Sequence, residues 1–257
     1  MLLPRAIPCL LLKGSGFVKT TKFANPSYLG DPINIIKLFN DKEVDELVIL
    51  DIAATPDGRQ PNLPFLGELS SEAFIPLAYG GGISDVEQMR ALFASGIEKV
   101  VVNTAAVRDP QLIRRAADEF GSQSVVISID VRARMLGGYR VYTNGGRRKS
   151  SLDPVRFAQQ MQEAGAGELI VTSIDRDGTW SGYDLSLIRA VTSAVDIPVV
   201  ASGGAGELLD LRRAVVEGGA SAASAGSLFV YQKKHRAVLV SFPDRSQLNE
   251  LFAAVPA

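Results

Sequence analysis

Three groups of residues in this 257-residue chain could do chemistry: carboxylates, glycine-rich turns and a set of alternating charges. Asp51, Asp130, Asp175 and Asp177 each follow a short apolar run, and Asp130 closes SVVISID. A carboxylate at the end of a buried strand can project into a ligand site as a general acid or base. The simpler alternative for Asp130 is a helix N-cap or a loop ion pair with Arg132 or Arg134. The turns are Gly80-Gly81-Gly82, Asn103-Thr104, Asp177-Gly178-Thr179, Gly203-Gly204 and Gly226-Ser227. Glycines let backbone N–H groups approach a phosphate, and the start of a following helix adds favourable potential. The turns fall into two sets, which suits a ligand with a phosphate at each end; the plainer alternative is that the glycines end strands tightly. Finally, Arg5, Glu46, Lys99 and Glu168 each stand at the start of an apolar run. Two basic and two acidic groups can close a ring of ion pairs. Residue types alone favour a structural plug, since charges at the starts of buried strands that pair with one another most simply serve stability. The other reading is a gate through which a small neutral molecule enters from a docked partner.

The elements that must position these groups are legible as eight apolar runs: Ile7–Leu12, Glu46–Ile52, Pro76–Tyr79, Lys99–Asn103, Ser124–Asp130, Glu168–Ser173, Pro198–Ala201 and Ala220–Ala225. Helical patterns lie between them. Ser84-Asp85 precede VEQMRALFASG, Asp109-Pro110 open QLIRRAADEFG, and Asp153-Pro154 open VRFAQQMQEAG, each closed by a glycine. Eight strands alternating with helices over this length predict an α/β fold, a (β/α)8 TIM barrel forming a single domain over residues 1–257. An open doubly wound sheet is the alternative, but it would not need the internal repeat that is visible here. LAYGGGISD from Leu77 aligns with VVASGGAGE from Val199 at a shift of 122, placing Gly81-Gly82 on Gly203-Gly204. The register is expected to run on without gaps to set Asn103-Thr104 on Ala225-Gly226, and the same shift sets Glu46 on Glu168. Two half-barrels explain it. Setting Ile129-Asp130 over Leu10-Leu11 makes Leu11 the symmetry mate of Asp130.

Composition narrows the function. With 27 Lys+Arg against 28 Asp+Glu, basicity drives no nucleic-acid or membrane-surface role. One Cys and one His leave no basis for a disulfide framework, a Cys-cluster or multi-His metal site, or a His-based triad. No apolar run reaches the ~20 residues of a membrane span. The first residues read as a strand and not a signal peptide. A cytoplasmic protein without metal or cofactor is expected. Cys9 reads as a small core residue. His235, in YQKKHRAV, reads as part of a solvated basic face or as a phosphate contact. Trp180 and Tyr183 either cover a ligand or pack on the next helix.

The segments RAIPCLLLK, DELVILDI, GGGI, NTAAV, FGSQSVVISID, GAGELIVTSIDRDGT, SGYD and VVASGGAG resemble the cyclase subunit of imidazole glycerol phosphate synthase from about Arg5 to Phe229. In that family the barrel binds a bisphosphate precursor. A glutaminase docked on the floor supplies ammonia through the barrel, and aspartates on strands 1 and 5 act as acid and base. The resemblance implies phosphate binding by Gly82, Asn103 and Thr104 at one end and by Asp177, Gly178, Gly204, Gly226 and Ser227 at the other. Lys19 matches the lysine of the first loop and Asp130 the strand 5 aspartate, while Asp51 is a further strand-end carboxylate. Arg5, Glu46, Lys99 and Glu168 match the family's ammonia gate, which displaces the plug reading.

Strand 1 departs from the pattern. The family reads IPCLDVK where this chain reads IPCLLLK, so Leu11 stands where the partner aspartate belongs, and GSGFVKT replaces DGRVVKG. That combination, with the tail AGSLFVYQKKHRAVLVSFP, resembles the paralogous branch encoded with surface-polysaccharide (lipopolysaccharide) genes. The branch works with a glutaminase-like partner and an amidotransferase that turns an acetamido into an acetamidino group. Three readings follow: an ammonia-conducting subunit of such an amidotransferase; a lyase-type cyclase of histidine biosynthesis that tolerates Leu11; or a non-catalytic phosphosugar-binding regulatory barrel.

Overall fold

The computed structural model describes residues 4–232 and 237–253. Eight parallel strands close on themselves: β1 (Arg5–Lys13), β2 (Leu47–Asp51), β3 (Leu77–Gly80), β4 (Lys99–Val102), β5 (Val125–Ala133), β6 (Glu168–Ser173), β7 (Val199–Ser202) and β8 (Ala222–Ala225). β1 pairs with both β8 and β2, and the pairing of β5 with β6 completes the cylinder. Helices lie between successive strands, so this is a (β/α)8 barrel. All eight expected strands are present, with ends moved by a few residues.

Side-chain alternation along each strand builds two cores. Ala6, Leu10 and Leu12 of β1 point outward and join the large core under the helices. Arg5, Ile7, Cys9 and Leu11 point to the barrel axis. Ile7, Val48, Ala78, Val101, Val126, Ile170, Val200 and Ala222, one from each strand, form an apolar collar across the interior. The helices start where their caps demand. Asp85, Asp109 and Asp153 each accept a backbone N–H of the first turn, two of them just before proline.

The two-fold repeat is present with one correction. Helices Val86–Ala94 and Leu208–Val216 keep the 122 shift, and their N-caps Asp85 and Glu207 share φ near −150°. Beyond them β4 and β8 are offset by 123. Asn103 and Gly226 become equivalent N-caps, and Thr104 aligns with Ser227, not Gly226. The extra residue sits at Gly218-Gly219, where the first half has Gly96 alone. A turn absorbs an insertion that neither the helix nor the strand could.

Two β excursions at the mouth are absent from the eight-run reading. Strands Gly16–Thr21 and Ala24–Gly30 form an antiparallel extension on β1. Strands Tyr139–Thr143 and Arg148–Lys149 do the same beyond β5, which runs three residues past Asp130.

Candidate functional site

A cavity of about 630 Å³ opens at the C-terminal ends of the strands. Asp51, Gly82, Asn103, Thr104, Asp130, Asp177, Gly178, Gly204, Gly226, Ser227, Lys19 and Leu11 all line it. Asp175 and Trp180, proposed at the same loops, do not. Asp175 faces the fifth loop instead, accepting from Ala133 N at 2.9 Å and standing 3.8 Å from Arg132 Nη1. Tyr183 is buried with its hydroxyl donating to Ser224 O at 2.8 Å, so it packs and does not cover a ligand. His235 lies outside the described residues.

Leu11 and Asp130 stand at equal height. Each is two inward positions above a collar residue, Ile7 on β1 and Val126 on β5. The Asp130 carboxylate is almost fully buried and accepts from Ser128 Oγ at 3.0 Å and from Asn103 Nδ2 at 3.3 Å. Burial pushes its pKa up, the Ser128 hydrogen bond opposes, and Asp177 adds to the rise, bringing it to about 7. Such a group exchanges a proton readily near neutrality. Leu11, facing the same space, has no proton to exchange. Below them the Cys9 thiol is pushed up to about 12 by burial, which suits a core residue and not a nucleophile.

The extension on β1 is latched over the sixth loop. Lys19 Nζ donates to Asp177 Oδ1 at 3.0 Å, Thr20 Oγ1 to Asp177 Oδ2 at 3.2 Å, and Lys22 N to Asp177 O at 2.9 Å. Gly178, at φ +69°, lies so close beneath that a Cβ would sit 2.4 Å from Thr20 O. Gly204, at φ +120°, approaches Gly182 O as tightly, at 2.2 Å from a built Cβ. Only glycine fits either position.

The other end of the cavity is more engaged. Gly82 N donates to Thr55 Oγ1 at 3.1 Å, and Thr104 Oγ1 accepts from Asn144 N at 3.0 Å and donates to Asn103 Oδ1 at 3.2 Å. Asp51 is a turn brace: Oδ1 accepts from Ala53 N and Ala54 N, both at 2.9 Å, with Arg59 Nη1 at 3.7 Å. Thr55, Arg59, Arg108 and Arg147 line the cavity and went unnoticed in the sequence. The turn residues of ATPDGRQ, a polar excursion straight after a strand-end aspartate, were the available signal for the first two.

At the opposite end of the barrel, Arg5, Glu46, Lys99 and Glu168 form a closed ring. Arg5 donates to both carboxylates, and Lys99 Nζ lies 2.9 and 3.0 Å from the Glu46 oxygens and 3.0 Å from Glu168 Oε2. Burial works against the Arg5 charge, but Glu168 and Glu46 outweigh it and hold its pKa above the usual guanidinium value. The ring lies directly below the apolar collar.

Among the described residues no cluster of His, Cys, Asp and Glu could hold a metal ion, and no helix is long and apolar enough to cross a membrane. A family model described as "Histidine biosynthesis protein" matches residues 5–236. The chain is 51% identical over 245 residues to a protein of Pseudomonas aeruginosa named "Putative imidazole glycerol phosphate synthase subunit hisF2", covering 95% of this chain and 98% of that one. It is 42% identical to the "Putative imidazole glycerol phosphate synthase subunit HisF" of Leptospira interrogans, covering 98% and 100%. It is 44% identical to the "Imidazole glycerol phosphate synthase subunit HisF" of a Nostoc species, covering 96% and 97%.

Proposed function

Because this chain belongs to the histidine biosynthesis protein family, and within it to the HisF-like barrels, we propose that it is the ammonia-receiving subunit of a glutamine-dependent amidotransferase whose acceptor is not the cyclase precursor. A cytoplasmic glutaminase docks on the face bearing Arg5, Glu46, Lys99 and Glu168, and ammonia passes the ring and collar to the mouth. The acceptor we infer is an activated acetamido group on a nucleotide-linked or lipid-linked surface-polysaccharide sugar, which leaves as an acetamidino group. An ATP-pyrophosphatase-type synthetase activates that amide by transferring AMP to its oxygen with release of pyrophosphate; ammonia then adds to the amide carbon and the C–O bond breaks as AMP leaves with the oxygen. The single domain spans residues 1–257 and needs no cofactor of its own.

One observation carries this reading: Leu11 occupies the place opposite Asp130 in a site whose floor, Lys19 latch and glycine turns are otherwise complete. Cyclisation needs proton transfer at two points on the substrate. Removing one partner of an acid–base pair costs about 10²–10⁴-fold in rate, or about 3–5 kcal/mol of barrier. Conducting ammonia needs only the floor and the dry interior.

A second reading is favoured by the names of the relatives, which all cite imidazole glycerol phosphate synthase, two of them with the word "Putative": a cyclase of histidine biosynthesis working with Asp130 alone. The purified protein, given the bisphosphate precursor and ammonium, separates the two. We expect no cyclisation above background and a measurable rise in the Leu11→Asp variant; turnover by the parent chain at ordinary cyclase rates would establish the second reading. A third, purely regulatory phosphosugar-binding barrel predicts no glutaminase stimulation on mixing, whereas the docking reading predicts it.

A further inference from the structure

Beyond Asp130 the fifth strand leaves the barrel and carries one face of its sheet outward from the mouth. In an antiparallel pair, directly opposed residues share a face. The register pairs Asp130 with Tyr142, Arg132 with Arg140, and Tyr142 in turn with Lys149. One face therefore carries Asp130, Arg132, Arg140, Tyr142 and Lys149. The other face carries Val131 and Val141, which are buried in the outer core, and further out Arg148 opposite Thr143; the face shared with Asp130, which lines the cavity, is therefore the one on the mouth side.

Three cations on one face is an expensive arrangement. Arg132 and Arg140 are opposed like charges, a pairing that destabilises a sheet. Arg132 has Asp175 at 3.8 Å, lies over the Tyr142 ring at 5.5 Å, and leaves its buried Nε without a hydrogen-bond partner. Among the described residues, Arg140 and Lys149 form no ion pair. Arg132 is two residues beyond Asp130, about 7 Å along the strand. The ladder thus begins where the cavity ends, and Arg147 of the same excursion lines the cavity itself.

We propose that this face is a binding site for a diphosphate group, and hence that the ligand at the mouth extends beyond the barrel and carries its diphosphate on the excursion. Arg132, Arg140 and Lys149 hold the diphosphate oxygens, with Tyr142 keeping the Arg132 guanidinium in plane. The inference rests on the proposed reading of the mouth as a site for a phosphorylated acceptor, and it names that acceptor's class: a diphosphate-linked molecule, longer than the cavity.

The test uses two probes on the full chain at low ionic strength: inorganic pyrophosphate for the excursion and glycerol 3-phosphate for the glycine turns. Backbone amide shifts locate each probe, and titration gives its affinity. We expect pyrophosphate to shift residues 132–149, and the Arg140→Gln/Lys149→Gln variant to lose about tenfold to a hundredfold in pyrophosphate affinity. Glycerol 3-phosphate affinity should stay within about twofold, and Arg140→Lys/Lys149→Arg should restore pyrophosphate binding. Pyrophosphate bound equally by the double Gln variant, shifting only the glycine turns, or failing to bind the parent chain would each overturn the site. Loss of glycerol 3-phosphate binding in the parent chain would instead count against the phosphate turns and leave the pyrophosphate result to stand on its own.

Discussion

Replacing Asp130 by Asn should make the protein more stable, and more so as the pH rises. The folded chain holds this carboxyl at about 7, against 3.8 in an ordinary environment. Between those values the folded state keeps a proton that the unfolded chain releases, so ionisation favours unfolding and stability falls as pH rises from about 4 to about 7. Above 7 the penalty is complete. At about 1.4 kcal/mol per pH unit, the full span is worth about 4 kcal/mol, and relaxation around the buried charge reduces the measured effect to about 2–4 kcal/mol. Asn fits the same contacts: its oxygen can accept from Asn103 Nδ2 while its amide donates to Ser128 Oγ. Urea unfolding of both proteins from pH 4 to pH 8.5 gives the difference directly. We expect near equality at pH 4 and a gain of about 2–4 kcal/mol for Asn at pH 8. A difference that does not change with pH, or a loss at pH 8, would refute the account of this carboxylate as a costly, burial-shifted group. The cost makes sense only if a proton exchangeable near neutrality is useful at the mouth.

Other substitutions probe the remaining parts. Lys99→Met should leave two buried carboxylates sharing Arg5 alone, costing about 3–5 kcal/mol in denaturant unfolding at pH 7. Phe74 is 87% exposed on the loop entering β3, on the floor side; Phe74→Ala should weaken glutaminase binding about tenfold or more in a titration while leaving the melting temperature unchanged. Gly178→Ala should lift the latch from the mouth, since its Cβ would meet Thr20 O at 2.4 Å, and should reduce phosphate-probe affinity with a stability loss of about 1–3 kcal/mol.

The barrel was readable from sequence because buried parallel strands leave dense apolar runs and their caps are short, local signals. Asp85, Asp109 and Asp153 do in the fold what their types announce. The excursions were not readable. ANPSYLG is exposed along most of its length and shows no alternation, and YRVYT pairs with the end of β5 from Asp130 to Ala133, mostly beyond the apolar run that ends at Asp130. The four floor charges were found from strand starts, but only the closed cylinder brings residues as far apart as Arg5 and Glu168 into contact. Asp51, Asp175 and Asp177 look alike in sequence. Their different roles, a brace, an outward partner and a latch, depend on which backbone amides and cations lie beside each.

The collar of eight aliphatic side chains has a consequence for what can traverse the molecule. A charged species at that level would lose its hydration and find no counter-ion, a penalty of several kcal/mol even after relaxation. An ammonium ion would pay that penalty in full, whereas a neutral molecule of the same size would not. The collar therefore discriminates by charge: under the proposed reading, nitrogen crosses it only as neutral ammonia.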